Sequence, residues 1–204
     1  DVYKRQAYGY PFFLGGIALP QLRTENHYDC VLDSPLGRLG IRYRDNRVTR
    51  LDYVDQAVPL KAAMSAFGRQ VSTQLEHFFF NPGHRFTLPL EMQGTAFQCR
   101  VWRALTQIAA GETRTYGELA ARLHSGARAV GNACRHNPVS IIVPCHRVVS
   151  ASGIGGYSGR TGGREIHRKQ WLLDHEVIAA QALKISQKPQ TTSLRSSKQR
   201  NLHA

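Results

Sequence analysis

The stretch Ile141–Val149, "IIVPCHRVV", sets a proline and the polar trio Cys145-His146-Arg147 between two β-branched apolar runs. Apolar runs of this kind read as buried strand. Proline cannot donate to a sheet ladder, so the strand is expected to break at Pro144. On an unbroken strand Cys145 and His146 would point to opposite faces, whereas a break lets both face one cavity. Two readings stay open on these residues alone: a reactive thiol at a strand break, or an ordinary buried thiol at a strand end.

Upstream, "CVLDSPLGRLGIRYRDNRVTRLDYV" alternates apolar and polar residues. Turn signals at Ser34-Pro35 and Asp45-Asn46 divide it into three strands of a meander. The stretch from Pro59 to Phe80 places Ala63, Phe67, Val71, Leu75 and Phe78 at helical spacing and stops before Asn81-Pro82-Gly83. "RFTLPL" then reads as a short strand. The second half opens with a capping box, Thr95 and Gln98, before a helix through Val101, Trp102, Leu105 and Ile108 that ends at Gly111. A second box, Thr115 and Glu118, opens "YGELAARL". After a "HSG" turn a third helix runs from Ala127 to His136 and stops at Asn137-Pro138. Two short helices around a tight turn make a helix-turn-helix.

The third helix is unusual for its lack of side chains. The small residues are Ala127, Ala129, Gly131 and Ala133; Val130 and Cys134 are spaced to face the core, leaving Ala127 and Gly131, with Arg135, on a neighbouring stripe. Nothing long projects to read base edges in a major groove, but such a surface suits close entry into a minor groove. Arg128, at the start of the helix, has the reach to enter a duplex. Charge points the same way. The chain carries 27 Lys/Arg against 14 Asp/Glu, a net of +13. Residues 99–170 hold eleven bases and three acids, the tail from Ala179 holds five bases and no acid, and the remainder balances. A polyanionic partner, nucleic acid first, is the natural expectation.

Cys30, Cys99, Cys134 and Cys145 form no CxxC pair, so reduced thiols and a cytoplasmic setting are expected rather than disulfides. His27, Cys30, His77 and His84 leave a zinc site open, although scattered surface histidines are the commoner arrangement, and no metal is assigned. No segment approaches the ~20 apolar residues of a membrane helix. "YPFFLGGIALP" is too interrupted for a signal peptide. Residues 1–26 read as a loose N-terminal extension. "HRKQWLLDHEV" reads as a short amphipathic helix, and residues 179–204 as a disordered basic tail.

"SPLGRLGI", "GTAFQCRVW", "GETRTYGELA", "ARAVGNACRHNPVSIIVPCHRVV", "GGYSG" and "RKQWLLDHE" follow one another over residues 28–177. In that order they resemble the O6-alkylguanine-DNA alkyltransferases. The resemblance implies a protein that flips an alkylated guanine out of duplex DNA and takes the alkyl group onto Cys145, once per molecule. Methyl is the expected group, with O4-alkylthymine a poorer substrate. His146 would take the thiol proton through a water, Glu176 would orient His146, and Asn137 would tie the recognition helix to the active-site strand. Tyr116 would crowd the 3′ phosphate and protonate the departing guanine. Arg128 would fill the vacated stack. Ala127, Ala129, Gly131 and Arg135 would line the minor groove, with Val148, Tyr157 and Ser158 in the base pocket. No metal, cofactor, membrane or obligate protein partner is implied, and a monomer is expected.

The implied architecture is α/β (α+β). An N-terminal ribonuclease-H-like scaffold, a three-stranded sheet plus helix, would span residues 27–92. A C-terminal winged-helix-like domain carrying the helix-turn-helix and the cysteine would span residues 93–178. The sequence departs from the family pattern at three places. The turn before Arg128 is about two residues short, Ala109 stands where proline is usual, and "YSGRTGGREIHRKQWLL" carries about five extra residues. The segment Gly159–Glu165 is therefore expected as a mobile loop at the pocket rim, with Arg160 and Arg164 available to DNA phosphate. Two rival readings are a non-catalytic binder that flags alkylated DNA and a transcriptional regulator reading operator DNA.

Overall fold

The computed structural model describes residues 27–186 of the chain, with side chains through residue 178. The expected extension, 1–26, and the tail beyond 186 lie outside the described residues.

Three strands, β1 (Cys30–Leu32), β2 (Leu39–Arg44) and β3 (Arg47–Tyr53), form the expected antiparallel meander in the order β1-β2-β3. Asp45 and Asn46 both take positive φ, 49° and 54°, the backbone of a two-residue hairpin turn, and pair Arg44 with Arg47. The helix α1 (Ala66–Phe80) lays Phe67, Val71, Leu75 and Phe78 into the core, as the spacing predicts. It starts later than the apolar pattern suggests. The Ser65 hydroxyl accepts from the Gly68 N–H, and this cap leaves Ala63 outside the helix.

"RFTLPL" is not a strand. The side-chain amide of buried Gln74 accepts from the Thr87 backbone N–H and donates to the Thr87 hydroxyl, each at 2.9 Å, in place of a ladder. Only one bridge to β3 remains, with Val48 donating to Pro89 and Glu91 donating back to Val48.

Both capping boxes are present, opening α2 (Ala96–Leu105) and, after the short strand β4 (Arg114–Thr115), α3 (Tyr116–Arg122). α2 stops short of the expected Gly111. Its last turn tightens through Gln107 and Ile108, so Ile108 is buried from a turn rather than from the helix. The smooth helix is α4 (Ala127–Arg135), within one residue of its expected end. β5 (Val148–Val149) runs parallel to β4 and ties the start of α3 to the segment after Cys145. The last helix, α5 (Arg164–Ser186), is longer than expected at both ends, its Ala- and Leu-containing continuation being helix-compatible. The first eight residues assigned to the tail are thus helical. The buried apolar side chains of both halves form one continuous cluster, and Leu51 of β3 donates to the Pro138 carbonyl at 2.9 Å beside the active-site segment.

Candidate active site

The apolar run before Pro144 is buried as expected, but it is a chain of turns rather than a strand. Val143 donates to the Val139 carbonyl, Ile142 to Ser140, and Cys145 to Val143, at 2.9, 2.9 and 2.8 Å. The second of these closes around Ile141 at φ 72°, a strained position for a β-branched residue that stores roughly 1–3 kcal/mol. Asn137 over-determines it. Its amide donates to the Val143 carbonyl at 2.7 Å and its oxygen accepts from the Val139 N–H at 3.1 Å. Asn137 is therefore bonded to both sides of the turn and lies one residue past His136, the C-cap of α4 by position.

Pro144 closes the third turn with φ −83° and ψ 67°, and Cys145–Arg147 then form one turn of 3-10 helix. This is how the sequence resolves the adjacency of Cys145 and His146: a tight helical turn replaces the alternating strand. Both side chains are buried, but they do not share a cavity: Cys145 lines one of about 340 Å3 with Tyr116, Arg128, Gly131, Tyr157 and Ser158, and His146 does not line it. That volume lies within the range of small-ligand pockets.

His146 Nε2 lies 2.9 Å from Glu176 Oε1, with both side chains fully buried. An ionised carboxylate only accepts, so Nε2 carries the proton and Nδ1 presents a lone pair. Nδ1 is buried without a hydrogen-bond partner among the described residues. Glu176 is held from three further directions, by Arg147 Nε (2.9 Å), Arg147 Nη2 (2.8 Å) and the Gly111 N–H (3.2 Å). Burial pushes its carboxyl up, but the hydrogen bonds and charges of His146 and Arg147 outweigh that and bring it down to about 2. Burial likewise lowers His146, against the opposing pull of Glu176, so the imidazole is a neutral acceptor. Burial raises the Cys145 thiol, opposed by the Asn137 amide and the charge of Lys169.

Lys169 was not legible as a site residue in the sequence. It is fully buried on the face of α5 that also carries Leu172 and Glu176, and Nζ donates to the carbonyls of Val148 and Gly156. Burial brings it down to about 8, with the neighbouring thiols acting in the opposite direction. A charge at i−3 and i−7 from Leu172 and Glu176 was the one available signal, but charged residues on helices are usually solvated. Tyr53 of β3 was missed as well. Its hydroxyl lies 3.0 Å from that of Tyr157, so the scaffold sheet braces the cavity wall. Val148, expected in the pocket, is fully buried and does not line the cavity; its carbonyl serves Lys169 instead.

Tyr116, at the N-terminus of α3, donates its hydroxyl to the Gly156 carbonyl at 3.2 Å. Burial raises its phenol to about 12, so it stays protonated. Gly155, at φ 70°, lets that ring approach, because a Cβ there would sit 3.0 Å from the ring and from the Ser150 nitrogen. On α4, Val130 and Cys134 face inward as expected, while Ala127, Arg128, Ala129 and Arg135 are exposed and Gly131 is half-buried. A Cβ at Gly131 would meet only the Tyr116 ring, at an ordinary 3.8 Å, so the protein interior does not demand glycine there.

The expected loop after Tyr157 is partly ordered by reciprocal backbone bonds between Tyr157 and Arg160, both 2.9 Å. Ser158, Gly159, Arg160 and Thr161 do line the cavity, whereas Arg164 and Glu165 belong to α5. Among the described residues no three His, Cys, Asp or Glu side chains gather as a metal-binding set, and no helix is long and apolar enough to cross a membrane.

Residues 96–178 match the family described as 6-O-methylguanine DNA methyltransferase, DNA binding domain. The methylated-DNA–protein-cysteine methyltransferase of Mycolicibacterium paratuberculosis is 44% identical over 150 residues, covering 70% of this chain and 87% of that protein. The constitutive enzyme of that name from Bacillus subtilis is 38% identical over 166 residues, covering 75% and 97%. Among solved structures, the O6-methylguanine methyltransferase of Mycobacterium tuberculosis is similar with a TM-score of 0.64 at 38% identity, covering 76% and 96% of the two chains. The M. tuberculosis OGT in complex with DNA gives 0.62 at 39% identity, covering 73% and 92%. Relatives at these identities and coverages show that the chain belongs to the methylated-DNA–protein-cysteine methyltransferase family.

Proposed function

We propose that this chain repairs DNA by direct reversal, moving the alkyl group of O6-alkylguanine onto its own Cys145. The observation that carries the reading is the hydrogen bond from the His146 ring to the buried Glu176 carboxylate, which leaves an unpartnered Nδ1 on the residue next in the chain to the cavity-lining Cys145. A carboxylate that orients a histidine that serves a nucleophile is the arrangement covalent catalysis uses.

His146 Nδ1 takes the Cys145 proton through a water. The thiolate attacks the alkyl carbon, the S–C bond forms, and the C–O6 bond breaks with its electron pair passing to the guanine. Tyr116 gives the guanine a proton, and the proton held on His146 restores the phenol through solvent. The fixed charge of Lys169 favours the thiolate over the thiol. A thioether is a poor leaving group, so each molecule acts once. Reaching the O6 substituent requires the nucleotide to leave the stack. The exposed Ala127 and Ala129 and the half-buried Gly131 let α4 lie close in the minor groove, Arg128 fills the gap, and Tyr116 displaces the 3′ phosphate. The base enters between Tyr157, Ser158 and the α4 face. The four cysteines are free, which suits a reducing cytoplasmic setting for a protein working as a monomer. The division into a scaffold, 27–92, and a DNA-binding reactive unit, 93–178, fits this separation of roles.

Incubation with a duplex carrying a single O6-methylguanine tests the reading. One lesion should be repaired per protein molecule, with no further turnover when more duplex is added. A protein that binds the duplex and leaves every lesion intact would be a binder, and this assignment of function would fall.

A further inference from the structure

We propose that Arg160, carried to the mouth of the reactive cavity by the turn after Tyr157, works with Arg135 as a clamp for a backbone phosphate next to the extruded nucleotide. The inference rests on the reading above and adds a contact from Arg160, which lies where this chain departs from the family pattern.

The geometry is specific. Tyr157 and Arg160 exchange two backbone hydrogen bonds of 2.9 Å, and the two residues between them take positive φ, 47° at Ser158 and 77° at Gly159. Arg160 is therefore fixed at its backbone to a wall of the cavity. Arg135 reaches the same turn from α4. A Cβ on Gly159 would fall 2.6 Å from Arg135 Nε and 2.9 Å from its Cγ and Cδ, so the Arg135 side chain lies across the glycine. Both arginines line the cavity that holds Cys145, and both line the adjoining cavity of about 300 Å3 against β3.

Neither has an acidic partner among the described ion pairs. The nearest carboxylates along that second cavity are engaged elsewhere, Asp52 with Arg50 at 2.5 Å and Glu165 with Arg168 at 2.6 Å. Two guanidinium groups on one rim repel each other until an anion lies between them. The planar, multidentate guanidinium fits phosphate, and two arginines are a poor lining for an apolar alkyl group. Extruding a nucleotide brings its flanking phosphates to the mouth of the pocket that takes the base. The ligand is thus a DNA phosphodiester, held only while the base is in the cavity.

Duplex affinity is to be measured against salt for the wild type, Arg160→Gln and Arg160→Lys, with thermal unfolding checking that each variant folds. Arg160→Gln should lower the slope of log affinity against log salt by about one, so that its deficit is about three- to fourfold larger at ~50 mM than at ~200 mM salt. Arg160→Lys should keep most of the slope. Reaction with free O6-benzylguanine, which carries no phosphate, should show no matching salt-dependent deficit in either variant. Replacing the phosphates flanking the lesion one at a time by neutral methylphosphonates should identify one position at which wild type and Arg160→Gln become equal. An unchanged slope overturns the proposal, and faster reaction of bulky free bases in the variant would make the turn a steric gate instead. Inorganic phosphate competing with duplex beyond its ionic-strength effect, in the wild type only, would also overturn it, since the site would then take a free anion. These readouts are of binding, so a failure here is distinct from a failure of alkyl transfer to Cys145.

Discussion

The reactive cavity has two walls of opposite character. On one side Cys145, His146 and Glu176 are buried, and almost every polar atom near them is committed: Asn137 to Val139 and Val143, Glu176 to His146, Arg147 and Gly111, Lys169 to two carbonyls. On the other side α4 lines the cavity through Arg128, Gly131 and Arg135, and beside them the exposed Ala127 and Ala129 carry no polar side-chain atom. Chemistry at a thiol needs distances fixed before the substrate arrives, and only dense hydrogen bonding fixes them. Approach to a duplex backbone needs the opposite, a surface from which side chains have been removed. Substitutions on the first wall should affect every alkyl donor alike, and those on the second only donors inside a duplex.

The largest expected effect is from Cys145→Ala, which should abolish transfer from both duplex and free base while leaving duplex affinity within about twofold, because α4 is separate from the thiol. Gel shift alongside a transfer assay checks both halves. Loss of binding together with transfer would break the comparison.

Next is Glu176→Gln, which keeps the shape but removes the charge that orients His146. Transfer should fall roughly 10²- to 10⁴-fold with either substrate. The same variant carries a pH signature. The Glu176 carboxyl lies at about 2 rather than its usual 4.5. A depressed acid contributes stability that is present in full above its unfolded value and lost as pH falls toward the folded one. Wild-type stability in denaturant should therefore fall between about pH 4.5 and about pH 2 by more than that of Glu176→Gln. Parallel acid limbs would mean that the ion pair with Arg147 is not formed.

Arg128→Ala belongs to the second wall. It should slow transfer from duplex roughly 10- to 100-fold, the share of an unstacking energy of a few kcal/mol that its side chain recovers. Reaction with free O6-benzylguanine should stay unchanged. Equal losses on both substrates would show that it supports the pocket and not the flip.

Smallest is Gly131→Ala. Alanine favours helix by up to about 1 kcal/mol and meets only the Tyr116 ring at contact distance. The variant should melt at or above the wild-type temperature yet bind duplex several-fold more weakly. Stability and function moving in opposite directions would sharpen the comparison most. A variant with unchanged binding would remove minor-groove closeness as the reason for glycine.

The sequence carried these two walls unequally. α4 was legible because its signal is compositional: small residues at successive positions, with Val130 and Cys134 spaced for the core. The capping boxes of α2 and α3 were legible because Thr95–Gln98 and Thr115–Glu118 bond locally. The reactive wall depends on contacts between distant segments. Whether Ile141–Val143 is strand or turn does not follow from apolar periodicity, since a β-branched run is buried in either case. Asn137 and the strained Ile141 decide it. The pattern at "RFTLPL" gave way to Gln74, thirteen residues before Thr87. Lys169 looks like a solvated helix charge until the carbonyls of Val148 and Gly156 are brought to it. The pairing of His146 with Glu176 was expected only through the family resemblance, because the two lie thirty positions apart in the chain.

Peptide mass spectrometry after one exposure to an O6-methylguanine duplex tests the central claim most directly. A single added methyl group is expected on the peptide containing Cys145, at one equivalent per chain, with unmodified guanine left in the DNA. A methyl group on Cys30, Cys99 or Cys134, or no added mass on a protein that has bound the duplex, would contradict it.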